Sequence, residues 1–301
     1  MPSVEINKVR EHWDRLASAE RQPTIDEMRL NDDYWATLTS EPAEVDYTHE
    51  VVGGVPGLWA VPKRAVWDRA LLCFHGGGYM MGSPYSHRKM YGHLAKAVGC
   101  RALLVDYRLT PEHRHPAQVD DAVAAYRGLL ELGVSPAHVM FAGDSAGGGL
   151  AIGAQLRARD AGLPLPSGAM TMSAWTDMTL SGASYDANRP KDSVFRREMV
   201  SGLVSGLLGP QPDASDPYVS PLSADLTGLP PIYLQVGGDE ALLDDSIVLA
   251  KRAAQAGVKA KIDVFPDMLH SFQMAAGRAP EADDAVARLA AWARPILGLT
   301  A

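Results

Sequence analysis

The feature that most constrains the fold of this 301-residue chain is an alternation of short apolar runs with longer segments of helical periodicity. The apolar runs are residues 70–74, 102–105, 139–142, 170–174, 232–236 and 260–265. Helix-length stretches separate most of them or follow the last, at 118–132, 146–161, 242–256 and 280–297. Strands joined through helices lie parallel, with the helices covering both faces of the sheet. The sequence therefore predicts an α/β fold with a mostly parallel sheet.

Before the first apolar run, the chain has a different pattern. Residues 1 to about 40 indicate two amphipathic helices, the second beginning at a capping box made by Thr24 and Glu27. Residues 45–52 and 55–61 are two β-type runs separated by two glycines, which predicts a hairpin. An amphipathic helix pair must bury its apolar side, so we expect residues 1–40 to lie against the rest of the protein.

A second exception is the interval between the apolar runs at 170–174 and 232–236. It exceeds fifty residues, is rich in Asp, Ser, Pro and Gly, and contains a helical piece near 196–208. Such a length is unusual for a simple connection in a compact fold. We interpret it as an insertion above the sheet.

Charge and composition exclude several classes of function. The chain has 28 Lys and Arg against 36 Asp and Glu, a net charge of −8, and no basic run, which argues against nucleic-acid partners. It has neither a signal-peptide pattern nor an apolar run near the roughly 18 residues of a membrane span, so we expect a cytoplasmic protein without a membrane segment. The two cysteines, Cys73 and Cys100, lie in apolar runs and are interpreted as small buried side chains. No metal site or cofactor is predicted.

The strongest local motif is G-x-S-x-G at residues 143–147, between a predicted strand and a helix of small residues. In that context Ser145 lies on a sharp turn that exposes its hydroxyl, which favours a nucleophile. A second motif, His75 followed by three glycines, ends the run at 70–74. Backbone N–H groups of Gly76 and Gly77, with that of Ala146, would form an oxyanion hole.

A serine nucleophile needs a base, and nine histidines are candidates. His270 is favoured because it follows the last predicted strand, where a loop at the carboxyl edge of the sheet can reach the nucleophile. His113 and His115 fit a structural role better. For His75 we expect a structural role as well, in which its ring N–H shapes the glycine loop.

The carboxylate that orients the base is predicted to be Asp239, which follows the strand at 232–236 through two glycines. The order Ser145, Asp239, His270 is the nucleophile–acid–base order of α/β-hydrolases. Four rivals stay open. Asp267, near His270 in sequence, is the main alternative, and the others are Glu240, Asp244 and Asp245.

Together these motifs resemble the hormone-sensitive lipase family of bacterial carboxylesterases over nearly the whole chain. The matching segments are 75–78, 107–112 with 116–117 and 120–121, 143–147 and 270–272. The resemblance implies a single α/β-hydrolase domain over 1–301 with an eight-stranded sheet. It also implies a helical cap made of residues 1 to about 40 and about 178–216. Two residues depart from the commonest pattern, Thr110 in place of alanine and Glu240 in place of proline.

The resemblance implies hydrolysis of carboxylic esters with short to medium acyl groups. The chain is also similar to hydrolases of monoterpene ε-lactones, so the expected substrate is a small hydrophobic ester or lactone. An amidase with the same triad and a non-catalytic ligand-binding relative are the alternatives, and a homodimer is left open. Large apolar residues are candidates for lining a pocket, namely Trp13, Tyr34, Trp35, Met80, Met81, Phe195 and Met199.

Overall fold

The computed structural model describes residues 2–18, 24–210 and 213–299, without the side chains of residues 31–33. Eight strands of this part form one sheet. They are β1 (Val45–Val52), β2 (Val55–Pro62), β3 (Val66–Phe74), β4 (Cys100–Val105), β5 (Val139–Asp144), β6 (Gly168–Met172), β7 (Ile232–Gly237) and β8 (Ala260–Phe265). Their order across the sheet is β1-β2-β4-β3-β5-β6-β7-β8. From β4 to β8 the neighbouring strands pair in parallel, whereas β2 is antiparallel to both β1 and β4.

Helices surround the sheet in the described part of the chain. They are α1 (Asn7–Ala17), α2 (Ile25–Trp35), α3 (Pro84–Val98), α4 (Ala117–Glu131), α5 (Ala146–Asp160), α6 (Ser184–Ala187), α7 (Arg197–Leu208), α8 (Leu243–Gln255) and α9 (Pro280–Ile296). Residues of α4, α5 and α8 belong to the apolar core on one face, and residues of α3 and α9 to the core on the other. The strands supply both cores by alternation. In β3, Leu72 and Phe74 point to the first core, while Leu71 and Cys73 point to the second.

The predicted α/β sheet is confirmed, including the hairpin, in which Val52 pairs with Val55. The described part of the first 40 residues, 2–18 and 24–40, contains two helices, and Thr24 and Glu27 form the capping box. The interval between β6 and β7 contains α6 and α7, with residues 211 and 212 outside the described part. No helix among the described residues has the length and apolar character needed to cross a bilayer.

Candidate active site

Ser145 lies at the sharp turn between β5 and α5, with φ 53° and ψ −123°. At this turn β5 and α5 approach so closely that the residues two before and two after Ser145 must be glycine. A Cβ on Gly143 would lie 2.0 Å from the Gly147 carbonyl oxygen, and a Cβ on Gly147 would lie 2.0 Å from that of Phe74. The G-x-S-x-G spacing therefore follows from the close approach of strand and helix. It places the Ser145 side chain at the carboxyl edge of the sheet, where it borders a cavity.

His270 reaches Ser145 from the loop after β8. Its Nε2 lies 2.8 Å from Ser145 Oγ, and its ring is buried. Two residues from outside the sheet hold the histidine in place. The Trp13 indole N–H donates a 3.2 Å hydrogen bond to the His270 carbonyl, and the Phe195 ring packs on the imidazole at a centroid distance of 4.1 Å. The structure therefore brings the predicted nucleophile and the predicted base within hydrogen-bond distance of each other.

The carboxylate beside the other imidazole nitrogen is Glu240. Its Oε2 lies 3.3 Å from His270 Nδ1, and its side chain is 0% exposed. Burial raises the pKa of Glu240, and the neighbouring His270 opposes that shift. Glu240 was one of the open alternatives, distinguished in sequence only by following Asp239.

Asp239 lies elsewhere, so its expected contact with His270 is wrong. One carboxylate oxygen accepts a 2.7 Å hydrogen bond from Lys191 Nζ, and the other lies 3.6 Å from the Arg10 guanidinium. The chain turns immediately after β7, at Gly238 and Asp239. Adjacent side chains therefore leave the turn in different directions, Asp239 toward the two cations and Glu240 toward the imidazole.

The remaining carboxylate candidates have structural partners or face solvent. Asp244 accepts from the Ser184 backbone N–H at 2.9 Å. Asp245 accepts from the backbone N–H groups of Thr176 and Asp177 at 2.7 and 3.0 Å. Asp267 is exposed. None of the three is placed beside the His270 ring.

The glycine loop after β3 differs from expectation by one residue. The Gly76 N–H donates to Asp144 Oδ1 at 3.0 Å and is therefore occupied. Gly77 and Gly78 border the cavity next to Ser145, and their N–H groups have no acceptor among the described residues. The Ala146 N–H is the first of α5 and lacks an intrahelical partner. The geometry therefore does not support Gly76 as an oxyanion donor, and it brings Gly78 into consideration.

Asp144, within the G-x-S-x-G motif, anchors that loop. It also accepts a hydrogen bond from the Tyr91 hydroxyl at 3.0 Å and lies 3.4 Å from His87 Nε2. Burial opposes its ionisation, but His87 and the Tyr91 hydrogen bond outweigh burial and lower the pKa of Asp144. The predicted role of His75 is confirmed, because its Nδ1 lies 2.8 Å from the Gly76 carbonyl, which can only accept.

The insertion between β6 and β7 holds the loop that contains Glu240. Asn188 Nδ2 donates to the carbonyls of Gly238 and Glu240 at 3.1 and 2.8 Å. The buried Asp192 accepts from the Ala241 N–H at 3.0 Å through one oxygen. Through its other oxygen it accepts from the Phe195 N–H at 3.0 Å. These contacts tie the insertion to the loop of Glu240 and to Phe195, which packs on His270. No motif in the sequence indicates them.

A cavity of about 1100 Å³ opens over Ser145. Six of the predicted apolar residues border it, namely Trp13, Trp35, Met80, Met81, Phe195 and Met199. Tyr34 is the exception, since it packs against the Arg15 guanidinium at 3.8 Å and does not border the cavity. Two helices of the first 40 residues and α7 supply much of this wall.

Other sequence expectations concern metals and cysteines. Among the described residues, no group of three His, Cys, Asp or Glu side chains is arranged to hold a metal ion. Cys73 and Cys100 are buried free cysteines, as predicted, and burial raises the pKa of both thiols. Thiolate chemistry at either residue is therefore unfavourable.

Comparison with known proteins adds to this geometry. A profile of the alpha/beta hydrolase fold matches residues 71–274. An acetyl-hydrolase of Streptomyces hygroscopicus is 40% identical over 251 residues, 82% of each chain. An esterase of Acinetobacter venetianus is 37% identical over 233 residues, 77% of each chain. The crystal structure of an esterase from the bacterial hormone-sensitive lipase family superposes with a TM-score of 0.94 at 40% identity, covering 99% of this chain and 100% of that one.

Proposed function

Since this chain belongs to the α/β-hydrolase family, in its bacterial hormone-sensitive lipase group, and is a carboxylic ester hydrolase, we propose that it acts through an acyl-enzyme on Ser145. In this proposal His270 is the general base and Glu240 orients it. The observation that carries the proposal is the continuous contact from Ser145 Oγ through the imidazole to the buried Glu240 carboxylate.

The acylation step follows from those contacts. Ser145 Oγ attacks the ester carbonyl carbon while its proton moves to His270 Nε2. This requires the neutral imidazole to carry its proton on Nδ1, the nitrogen that faces Glu240. The carboxylate thereby selects the tautomer and stabilises the imidazolium that forms.

Acylation is complete when His270 gives its proton to the leaving alcohol oxygen and the alcohol departs. In deacylation His270 accepts a proton from the water that attacks the acyl-enzyme carbonyl, then returns it to Ser145 Oγ as the ester bond to the enzyme breaks. The acid product leaves, and Ser145 recovers its proton. Every proton transfer uses His270 Nε2, so the chain's own side chains suffice for the reaction.

The developing oxyanion is held by backbone N–H groups of Gly77, Gly78 and Ala146. Support comes from the position of both glycines on the cavity wall beside Ser145. Gly76 is replaced in this set because its N–H donates to Asp144. Each donor contributes about 3 kcal/mol to transition-state stabilisation.

Residues 1 to about 40 and about 178–216 form a cap on a single hydrolase domain over residues 1–301. Support comes from α1, α2 and α7, whose residues border the cavity above Ser145. Arg29 on α2 also joins this segment to the glycine loop, donating to the Met80 carbonyl at 3.1 Å. A cap in this position excludes water from the cavity and selects substrates by shape.

The favoured substrates are hydrophobic esters of small to medium size. The aromatic and methionine side chains around the cavity support this choice, and the volume of about 1100 Å³ accommodates more than a short acyl group. A lactone undergoes the same two steps, because it is an internal ester. Turnover of p-nitrophenyl esters of increasing chain length, beside ε-caprolactone and terpene lactones, would separate these substrates.

The mechanism is tested by labelling with a fluorophosphonate, which reacts with activated serines. We expect stoichiometric modification of Ser145 in the wild type and none in Ser145→Ala. That variant should keep its fold by circular dichroism and lose p-nitrophenyl butyrate turnover by a factor of about 10³ or more. A folded Ser145→Ala variant with wild-type turnover would exclude the serine mechanism.

A further inference from the structure

His12 occupies an unusual position on α1. Its side chain is 4% exposed and borders the cavity. Aromatic rings surround it, with centroid distances of 5.0 Å to Trp13, 4.7 Å to Trp35 and 5.7 Å to the nearly parallel ring of Tyr34. A polar ring in a wall of this kind is either a space-filling aromatic or a group that meets a ligand.

The hydrogen bonding of His12 fixes its tautomer. Arg15 Nη2 lies 3.1 Å from His12 Nδ1, and a guanidinium has only donors, so Nδ1 must accept. The single ring proton of neutral His12 is therefore on Nε2. Burial, with the Arg15 charge, lowers the pKa of His12 to about 4, which keeps the ring neutral near pH 7.

Among the described residues the His12 ring is hydrogen-bonded only through Nδ1, to Arg15, and Nε2–H has no acceptor there. A donor in such an apolar surrounding gains from any acceptor that a ligand brings, because leaving it unpaired is unfavourable. The cavity beside His12 is the place from which such an acceptor would come.

The neighbouring residue shows which part of a substrate would meet His12. Trp13 donates to the His270 carbonyl, and its ring centroid is 6.0 Å from the His270 ring. His270 delivers a proton to the leaving oxygen, so the alcohol part of the ester lies beside this histidine. His12, in contact with Trp13, therefore borders the alcohol side of the cavity.

We propose that His12 Nε2–H donates a hydrogen bond to a second oxygen in the alcohol part of the substrate. The site then favours esters of alkoxy or hydroxy alcohols over alkyl esters of equal size. This inference rests on the proposed function, since it takes the side of the leaving alcohol from the role of His270. It assigns His12 to substrate recognition, with no part in proton transfer.

The test uses three butyrate esters whose alcohol chains are five atoms long: pentyl, 2-ethoxyethyl and 3-methoxypropyl butyrate. The second and third differ from the first only in that one methylene group is replaced by an ether oxygen. For each ester, kcat/KM is divided by its rate of alkaline hydrolysis, which removes the electronic effect of the oxygen. We expect the wild type to favour at least one ether ester over pentyl butyrate by about tenfold, the usual order for one buried hydrogen bond. In His12→Phe that preference should disappear, so that the corrected kcat/KM of each ether ester divided by that of pentyl butyrate falls to about one.

Two further variants complete the design. His12→Gln retains an N–H donor and an acceptor for Arg15, so part of the preference should remain. Tyr34→Phe changes a neighbour of His12 that does not border the cavity, and its preference should equal that of the wild type.

The wild-type measurement keeps the test independent of how the variants fold. If the wild type shows no preference for either ether ester, or if folded His12→Phe keeps the wild-type preference, the proposal is overturned. Failure of the proposed function would look different, because pentyl butyrate would then not be hydrolysed by any of these proteins.

Discussion

Replacing Glu240 by glutamine separates the proposed catalytic role of this carboxylate from its effect on stability. Glutamine has nearly the same volume, so the buried site stays filled. Its amide cannot stabilise the His270 imidazolium and can hold the ring in the wrong tautomer. We therefore expect kcat to fall by up to about 10⁴, as for loss of the charge in other serine triads.

The thermal stability of Glu240→Gln, unlike its kcat, should not fall. Burial raises the pKa of Glu240 in the folded protein. A carboxyl with a raised folded-state pKa leaves stability intact below the unfolded pKa and reduces it as pH rises through the folded pKa. Glu240→Gln removes this contribution, so its Tm at pH 8 should equal or exceed that of the wild type, with a smaller difference near pH 4.

The matched control is Asp239→Asn, one residue away. Asp239 pairs with Lys191 and Arg10, whose side chains are 53% and 36% exposed. Solvent screens such pairs, so the loss should be about 1 kcal/mol or less of unfolding free energy. Because Asp239 does not touch the imidazole, kcat should stay within about threefold of the wild type, as expected for a residue outside the reacting unit.

Both variants are measured by p-nitrophenyl butyrate turnover under saturating conditions and by thermal melts at several pH values. The reasoning fails if Asp239→Asn lowers kcat more than Glu240→Gln does. It also fails if Glu240→Gln loses Tm at pH 8 while retaining activity, because the carboxylate would then be a structural group only.

Three other changes have defined outcomes. Gly76→Ala places a Cβ 2.5 Å from Asp144 Oδ2, so it should displace the glycine loop and lower kcat by about 10², the cost of a lost oxyanion donor, in p-nitrophenyl butyrate assays. Burial raises the pKa of Asp245 to about 8, so wild-type stability should fall as pH rises toward that value, and Asp245→Asn should flatten the decline in Tm between about pH 4 and about pH 8. Removal of residues 1–40 should uncover apolar surface and cause aggregation by size-exclusion chromatography, or alter the acyl-chain preference of any soluble product; a monomeric product with unchanged kinetics would contradict the cap.

Most of the fold can be predicted from the periodicity of apolar residues in the sequence. Alternate residues of β3 point to opposite cores, and the small residues of α5 begin directly after the turn at Ser145. Such patterns repeat over many residues, so single exceptions do not hide them. His270 could be placed for a related reason, because parallel strands end at one edge of the sheet, and loops from that edge converge.

The two site errors have a common physical origin. Asp239 and Glu240 are adjacent carboxylates after a turn, and three glycines follow His75. In neither case does a periodic pattern determine which residue faces the cavity. The orientation of these groups depends on residues distant in the sequence. Lys191 donates a hydrogen bond to Asp239, and Asp144 accepts one from the Gly76 N–H.

The hydrogen bonds from Asn188 and Asp192 to the loop around Glu240 bear on how such enzymes are engineered and how they diverge. An inserted segment ordinarily tolerates replacement better than the core of a fold does. Replacing it with the corresponding segment of another enzyme is therefore an obvious way to change substrate selectivity. Here residues 188–195 also support the backbone on both sides of Glu240, the carboxylate that we propose orients His270. A chimera that replaces them should displace Glu240 from the proposed triad while it changes the residues that border the cavity. A grafted segment should therefore begin after Phe195, so that residues 188–195 keep their native sequence. In related enzymes, substitutions in this segment should accompany substitutions at residues 238–241.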